Sequence, residues 1–547
     1  MNSAPEKANA REPVSGWPPT ADELIVCTPE EIPAAIEQVR VPISIVQLTD
    51  GALTLARPRK TMQERMPPTM AEFSVVGTLP SIYPEWLGDR AFSEIHGTRF
   101  TYIVGEMARG ISTSEMVIAA VNAGFMGFFG SAGLSVTETE KGIREIQSAL
   151  GPDQLSWGAN LIHSPQDPQI ERSMVDLFLS MGVTRVSASA FMSISPEIVR
   201  FVAKGLSRNA AGRIQRKNHI FAKVSRVEVA EHFMSPPPGK ILNQLVADGD
   251  ISLEQSQLAS TIPIAEDITA EADSGGHTDN QPLTVLLPRL LKLRLEMIVR
   301  FQFDRDIRVG AAGGLGDPGA VAAAFALGAA YVLTGSINQA ARESGLSADA
   351  RAMLAEAGPH DVAMAPAADM FEIGAKVQVL SRGSLFAARG RQLYDLYRTY
   401  DGLDHIPNNI KQRLEKDIFK STLEEVWAQT RAYFADHNGA ELERADRDPK
   451  HKMALVFRSY LFNGAQWARS GNENKRADYQ IWCGPSMGAF NSWARGTFLE
   501  DINDRSVVQI GRNLLEGAAC ITRAQQLRSM GVPVTAITFD FRPRLLQ

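Results

Sequence analysis

The amino-acid sequence predicts an α/β protein built on a (β/α)8 TIM barrel. From about residue 100 onward, short apolar segments alternate with Ala-rich helical patterns, several of which stop at a glycine. Strands that alternate with helices form a parallel sheet, and about eight such units over roughly 240 residues is the size of this barrel. The predicted strands are 102–104, 126–129, 156–161, 185–188, 219–224, 268–272, 307–311 and 331–334, and the helices between them include 114–123, 137–150, 169–181 and 318–327.

The chain before the barrel predicts a small N-terminal unit, residues 1–98. Within it, the apolar segments 43–48 and 53–56 flank Asp50 and Gly51. An Asp-Gly pair between two such segments is the strongest local signal for a β-hairpin.

Residues 99–345 are predicted to form the barrel, with a helical insertion at 228–263 after the fifth strand. The insertion is too long for an ordinary connection and indicates a lid or a subdomain. Residues 346–547 are predicted to form a mostly helical C-terminal extension, in which 372–400 and 411–434 show helical spacing of apolar residues.

Composition and charge exclude several classes of protein. The chain has 547 residues, 44% of them hydrophobic, and a formal net charge of -6 without a cluster of lysines and arginines. We therefore expect no nucleic-acid partner, because binding a phosphate backbone needs a basic surface. Residues 1–19 are polar and unlike a secretory signal, and the uncharged run 318–341 carries Gly328, Asn338 and Gln339, which favour a buried helix and strand over a membrane span. We expect a cytoplasmic protein with no membrane partner.

Three cysteines, Cys27, Cys483 and Cys520, are scattered along the chain. This spacing predicts neither a disulfide framework nor a metal or iron–sulfur site that needs adjacent thiols. The barrel segment has no cysteine between residues 100 and 345, which excludes a thiol nucleophile of the inosine monophosphate dehydrogenase type. Redox chemistry in this barrel would therefore draw electrons directly from a soluble donor.

The most informative stretch is 273–279, which places His277 just after the sixth predicted strand, behind Gly275 and Gly276. Adjacent glycines let the backbone come close to a bound ligand. A histidine at the carboxyl end of a barrel strand is well placed to donate or accept a proton. The alternative is a loop histidine that is hydrogen-bonded to its neighbours.

A phosphate site is predicted where two glycine loops meet at the end of the barrel. Gly313 and Gly314 follow the seventh strand, and Gly335 and Ser336 follow the eighth. In TIM barrels these two loops bind one phosphate through backbone amides, whereas ordinary tight turns are the alternative. Residues 314–319 also spell GxGxxG, but no acidic residue follows the next strand to bind a ribose, which argues against a Rossmann site.

A barrel with this phosphate site commonly holds a mononucleotide such as FMN, with its ring across the strand ends. Lys223, at the end of the fifth strand, would stabilise negative charge on the reduced ring, and a salt bridge between Lys223 and Glu271 is the alternative. No metal site is predicted. The residues expected to contact the cofactor are Gly105, Met107, Ala108, Asn160, Lys223, Glu271, Gly275, Gly276, Gly313, Gly314, Gly335 and Ser336.

Motifs along the barrel resemble the superfamily of FMN-dependent nitronate monooxygenases and enoyl reductases. They are EMARGIS at 106–112, NAG at 122–124, GGH at 275–277, AAGGL at 311–315 and TGS at 334–336. Longer motifs resemble the PfaD family, the trans-acting enoyl reductases of polyunsaturated fatty acid synthases and trans-acyltransferase polyketide synthases. These are NLIHSP at 160–165, AKVSR at 222–226, EADSGGHTDN at 271–280, MAPAADMFE at 364–372, the segment 376–383 and DYQIWCGPSMGAFN at 478–491, and the resemblance runs from about residue 75 to 535.

The PfaD resemblance implies an enzyme that reduces an α,β-unsaturated thioester on an acyl carrier protein, with FMN and NADPH as cofactors. Hydride would pass from flavin N5 to the β-carbon, and the α-carbon would then need a proton. His277 is the expected donor, since the histidine of the superfamily's GGH motif acts as a base, and Lys223 is the second expected catalytic residue. Glu106 and Arg109 depart from the smaller or uncharged residues that are more usual at their positions in the family.

Two other functions stay open from the sequence. A nitronate monooxygenase would use the same flavin and histidine, but the roughly 200 residues after the barrel favour a large, carrier-delivered substrate. A non-catalytic component of a synthase is the second alternative. The two glycine loops and His277 argue against it. Helices after the barrel offer a surface for a homodimer.

Overall fold

A four-stranded antiparallel sheet forms early in the chain, next to the short helix α1 (Ile32–Glu37). The structure is a computed structural model that describes residues 23–59, 72–165 and 167–547. The predicted hairpin is confirmed, because the second and third strands pair around a turn in which Gly51 has a φ of +85°. The strands are β1 (Leu24–Val26), β2 (Ile43–Leu48), β3 (Leu53–Pro58) and β4 (Phe73–Leu79), in the order β1-β3-β2-β4.

The chain divides into two compact units. One takes its residues from Met1–Trp86 and Leu515–Arg542, and the other from Leu87–Leu514 and Pro543–Gln547. The domain boundaries predicted at residues 98 and 345 differ from this division, and as limits of independently folding domains they stay predictions.

Eight parallel strands of the larger unit close into a barrel, which confirms the predicted fold class. Each begins and ends within one residue of its predicted bounds, and around the ring they follow the order β11-β12-β14-β15-β5-β6-β7-β8. The strands of this unit are β5 (Tyr102–Val104), β6 (Met126–Phe129), β7 (Trp157–Ile162), β8 (Arg185–Ser189), β9 (Leu206–Arg208), β10 (Ile214–Arg216), β11 (His219–Val224), β12 (Asp267–Glu271), β13 (Gly276–His277), β14 (Arg308–Ala312), β15 (Val332–Thr334), β16 (Val362–Pro366) and β17 (Lys376–Leu380).

Helices surround the barrel and make up most of the extension. Several begin at a side-chain cap; Asp317, for example, accepts hydrogen bonds from the amides of Gly319 at 2.8 Å and Ala320 at 3.1 Å. Within the described ranges, no helix is both long and apolar enough to cross a lipid bilayer. The helices are α2 (Arg90–His96), α3 (Ser114–Asn122), α4 (Val136–Leu150), α5 (Pro168–Ser180), α6 (Pro196–Lys204), α7 (Val227–Met234), α8 (Gly239–Ala247), α9 (Leu253–Ala259), α10 (Leu283–Phe301), α11 (Pro318–Ala326), α12 (Ala348–Ala355), α13 (Phe386–Thr399), α14 (Asn408–Arg413), α15 (Leu423–His437), α16 (Gly439–Arg447), α17 (Pro449–Ser470), α18 (Ser486–Ala494) and α19 (Val507–Ser529).

Helix α2 belongs to the barrel, although the sequence placed residues 90–96 in the N-terminal unit. Its Phe92 is fully buried in one cluster with Phe128, Phe221 and Tyr331. These aromatic side chains project from barrel strands or from the residue just before one, so α2 contributes to the barrel core.

The predicted insertion, residues 228–263, packs against α6 at the flank of the barrel. Leu242 and Leu245 of α8 and Leu258 of α9 are buried in one cluster with Val199 of α6. None of its residues lines the cavity described below. The insertion therefore thickens the flank of the barrel and leaves the mouth open.

The extension contains two strands, β16 and β17, and the sequence analysis assigned the second of them to a helix. The predicted helix 372–400 is wrong in its first part, where β17 runs between β13 and β16 in a three-stranded sheet. Val377, Val379 and Leu380 are all buried. Lys376, Val377, Gln378 and Val379 alternate polar and apolar side chains, which is the period-2 pattern of a strand that the helix prediction missed.

The second predicted helix of the extension, 411–434, is interrupted. The structure has α14, a π-helical turn at Leu414–Phe419, and then α15, which starts after a residue with a positive φ, Lys420 at +58°. Thr422 and Glu425 form a capping box at the start of α15. This capping signature is visible in the sequence and marks the new start.

Candidate active site

A cavity of about 1390 Å³ opens at the carboxyl ends of the barrel strands and continues along the helices of the extension. Ordinary small-molecule sites have roughly 300–1,000 Å³, so this one has room for a second ligand beside a cofactor. The loops after the strands supply one wall, and α15 and α17 supply side chains to the other. The predicted site residues in the lining are Met107, Ala108, Asn160, Lys223, Glu271, Gly275, Gly276, His277, Gly313, Gly335 and Ser336.

Two predicted site residues, Gly105 and Gly314, are not part of the cavity lining. A Cβ on Gly105 would overlap the side chain of Leu333, so this glycine allows two neighbouring strands to approach. Gly314 has a φ of +72°, which L-residues rarely adopt. Gly105 is therefore required by the close contact of two strands, and Gly314 is required by the geometry of its turn.

The two glycine loops differ in what a side chain would meet. A Cβ on Gly313, whose φ is +85°, would lie 2.7 Å from the carbonyl carbon of Ala272. Gly335 has a φ of -121°, and a Cβ there would meet nothing within 4 Å. Because Asp317 already caps helix α11, the open space at Gly335 is the better fit for a ligand phosphate.

Lys223 lies between two carboxylates, with its Nζ 3.0 Å from Glu106 Oε1 and 3.0 Å from Glu271 Oε1. Burial acts to lower the pKa of Lys223, but the two carboxylates outweigh burial and raise it above its usual value. Ser189 Oγ donates to Glu106 Oε1 at 3.1 Å and accepts a hydrogen bond from Asn160 Nδ2 at 3.0 Å. The salt bridge to Glu271 that was the alternative for Lys223 is thus present, and Glu106 is a second acidic partner.

The expected role of Lys223 beside a reduced flavin stays a prediction. Because two carboxylates face one ammonium group, Lys223 has less uncompensated charge to offer a reduced flavin than a lone lysine would have. Glu106 Oε2 is buried and makes no hydrogen bond to any described residue. A buried acceptor without a partner requires an explanation, and the ring N–H of a flavin would supply the missing donor.

His277 is held by the extension and not by its chain neighbours. Strand β13 pairs in antiparallel fashion with β17, so that His277 lies opposite Val377 and Gly276 opposite Gln378. The His277 Nε2 is 3.3 Å from Asp369 Oδ1, close enough for an ion pair although not aligned as a hydrogen bond. Burial acts to lower the pKa of His277, but Asp369 outweighs it and raises the pKa above the usual value. Whether His277 is catalytic or only a loop histidine stays a prediction.

The loop that carries His277 is clamped by one glutamine of β17. Gln378 Nε2 donates to Asp273 Oδ1 at 2.8 Å and to Ser274 O at 2.9 Å, while Gln378 Oε1 accepts from Asn280 Nδ2 at 2.9 Å. A Cβ on Gly275 would lie 2.7 Å from the Cys483 amide nitrogen. Gly275 is therefore needed for the close approach of the extension backbone, and its contact with a cofactor stays a prediction.

Asp369 and Gln378 are site residues that the sequence analysis did not name. Both lie in segments quoted for the family resemblance, Asp369 within 364–372 and Gln378 within 376–383. That signal could have marked them as candidates. Their contacts with His277 and its loop depend on strand pairing across the fold, which no local pattern reveals.

Comparisons with known proteins agree with this architecture. Residues 400–479, which hold α14 to α17, match the family described as acyl-carrier-protein S-malonyltransferase, inserted helical domain. The crystal structure of the enoyl reductase domain of MlnA, from the macrolactin biosynthesis cluster of Bacillus amyloliquefaciens, is 38% identical with a TM-score of 0.78. That match covers 81% of this chain and 99% of the MlnA domain.

Two longer proteins are also similar. A polyunsaturated fatty acid synthase protein of a Thraustochytrium species is 45% identical over 450 residues, which are 81% of this chain and 30% of that protein. Polyketide biosynthesis protein PksE of Bacillus subtilis is 42% identical over 452 residues, which are 83% of this chain and 58% of PksE. The chain thus spans less than two thirds of the length of these two relatives.

The contact between Asp369 and His277 predicts a specific change in titration. In Asp369→Asn the ring loses the charge that favours its protonated form, so we expect the pKa of His277 to fall toward or below the usual histidine value of about 6.5. NMR of labelled histidine rings would measure it, with His277→Gln to assign the signal. Asp404→Asn, at an exposed position of the same extension, is the matched control. An unchanged pKa in Asp369→Asn would show that Asp369 does not set the charge of this ring.

Proposed function

This chain belongs to the same family as the enoyl reductase domain of MlnA, the PfaD family, and we propose that it reduces the α,β-double bond of enoyl thioesters carried by an acyl carrier protein. The carrier would belong to a cytoplasmic polyketide or polyunsaturated fatty acid synthase. FMN and NADPH are the proposed cofactors, and when bound, FMN would carry hydride from NADPH to the β-carbon.

The observation that supports this proposal most strongly is the extent of the cavity. It begins at His277 and the strand ends, and it continues past Phe419 and Val426 to Tyr433 and Phe462 of the extension. An apolar channel of this kind suits a long acyl chain, because burial of each methylene contributes about 0.8 kcal/mol. A nitronate is small and would leave most of the channel unused.

Each polar residue of the site has a proposed task in this reaction. Gly313, Gly335 and Ser336 would hold the cofactor phosphate, and Asn160 and Glu106 would face the ring edge. His277 would hold the proton that the α-carbon receives, and Asp369 would keep His277 charged until the transfer. The carboxylates around Lys223 would hold its ammonium group in place beside the ring. Lys223 itself would transfer no proton.

The open space at Gly335 predicts a clean test of the phosphate site. Gly335→Leu should fold, because its φ is negative and a Cβ meets nothing within 4 Å, but the side chain would occupy the proposed phosphate position. Losing two charge-assisted hydrogen bonds would weaken FMN binding about 100-fold or more. Flavin content would be measured by absorbance and folding by circular dichroism.

Gly77→Leu is the matched control, since Gly77 also meets nothing within 4 Å and lies in β4, outside the cavity lining. It should retain the full flavin content of the parent protein. Full occupancy in Gly335→Leu would contradict the proposed phosphate site.

The proposed role of His277 separates the two halves of the reaction. Reduction of the enzyme by NADPH needs no proton on an α-carbon, so His277→Ala should leave this half largely unchanged. Reoxidation by an enoyl thioester should slow by about 10²- to 10⁴-fold, the usual effect of losing a general acid. Anaerobic rapid mixing that follows flavin absorbance would measure both halves in parent and variant.

The same experiment tests the function itself. The parent enzyme should be reoxidised by an enoyl thioester without oxygen. Oxygen uptake driven by a nitronate, with no reoxidation by the thioester, would favour a nitronate monooxygenase. Reoxidation of His277→Ala at the parent rate would show that the histidine is a loop residue only.

A further inference from the structure

Arg109, in the lining of the cavity, and its neighbour Arg469 lack an acidic partner within the part of the chain that the structure describes. Arg109 follows the first barrel strand and lines the cavity, and Arg469 lies on α17. A Cβ built on Gly110 would lie 3.7 Å from Arg469 Nη2. The guanidinium of Arg469 therefore lies beside Gly110, the residue that follows Arg109. Neither arginine forms an ion pair with any described residue.

Arg109 is fixed in an unusual position. Its φ is +59°, a conformation that costs free energy for a residue other than glycine and that clusters at functional sites. Its Nη1 donates to the carbonyl oxygen of Phe462 at 3.0 Å, and its guanidinium carbon is 4.0 Å from the centre of the Phe462 ring. Because Phe462 and Arg469 are two turns apart on α17, one face of this helix contacts both ends of the arginine pair.

The charge of this pair is not compensated. Burial, and next the neighbouring Arg469, lower the pKa of Arg109 to about 10. Arg469 Nε is buried and has no hydrogen-bond partner among the described residues. The nearby carboxylates are engaged elsewhere, since Asp369 faces His277 and Glu138 accepts hydrogen bonds from Ser135 at the start of α4.

We propose that Arg109 and Arg469 form a binding site for a phosphate ester of the substrate or of the reductant. Two partly desolvated guanidinium groups without a carboxylate are costly unless an anion joins them, and their N–H forks match phosphate oxygens. The choice of ligand rests on the proposed function, in which two molecules that carry phosphate esters enter the cavity. They are the 4′-phosphopantetheine arm of an acyl carrier protein and NADPH.

The cofactor phosphate has a separate place. The glycine loops proposed for it follow the seventh and eighth strands, whereas Arg109 follows the first and is held against α17. Replacement of the arginines should therefore leave flavin content unchanged. Measuring flavin content therefore distinguishes a site for the incoming phosphate ester from a site for the cofactor.

Binding by calorimetry to the flavin-loaded full-length protein tests the proposal without turnover. The probes are 4′-phosphopantetheine, pantetheine and NADP⁺. Arg469→Met keeps an apolar stem and should weaken binding of at least one phosphate-bearing probe about tenfold or more, with pantetheine binding unchanged. Arg109→Met should weaken the same probe, and Arg391→Met, at an exposed position on α13, should weaken none.

The probe that is affected identifies the source of the phosphate. Weaker binding of 4′-phosphopantetheine alone assigns the site to the carrier arm, and weaker binding of NADP⁺ alone assigns it to the reductant. The proposal is overturned if both arginine variants bind all probes as the parent does, if pantetheine is weakened equally, or if flavin is lost. If the protein binds the phosphate probes in this way but reduces no enoyl thioester, the arginine site is supported and only the proposed function is refuted.

Discussion

The pairing of the two-residue strand β13 with a strand of the extension is the constraint on which the site depends. Gly276 and His277 are joined to β17 by antiparallel register, and Gln378 of that strand holds both ends of the loop that carries them. A histidine on a free barrel loop would sample many positions, and ordering it would cost conformational entropy at each turnover. Here the extension has already fixed the ring before a ligand arrives, and the same extension supplies Asp369.

The electrostatics of the cavity follow from this arrangement. Lys223 is balanced by Glu106 and Glu271, whereas Arg109 of the same lining forms no ion pair with a described residue. His277 is paired with an aspartate of the extension that favours its charged form. The two glycine loops stay the predicted place for a phosphate.

The barrel could be predicted because its signal is local. Buried parallel strands read as short apolar runs, glycines end the helices, and each boundary needs only a few residues of context. The same is true of the hairpin at Gly51 and of the two glycine loops. What failed was β17, a five-residue strand that was merged with the helix that follows it, together with the partner of His277 and the second partner of Lys223. Asp369 and Glu106 approach these residues through tertiary contacts. The periodicity of a local segment carries no information about such contacts.

Hydrogen exchange measured in the parent protein and in Gln378→Ala tests the dependence of the histidine loop on the extension most directly. Removing the side chain abolishes three hydrogen bonds to the loop while leaving the strand backbone intact. We expect local opening of residues 273–280 to become easier by about 2 kcal/mol, and their amides to exchange about 30-fold faster, with no change in β14. Gln392→Ala, at an exposed position on α13, should have no effect. Equal exchange of residues 273–280 in the parent and in Gln378→Ala would contradict the view that the extension holds the loop of His277.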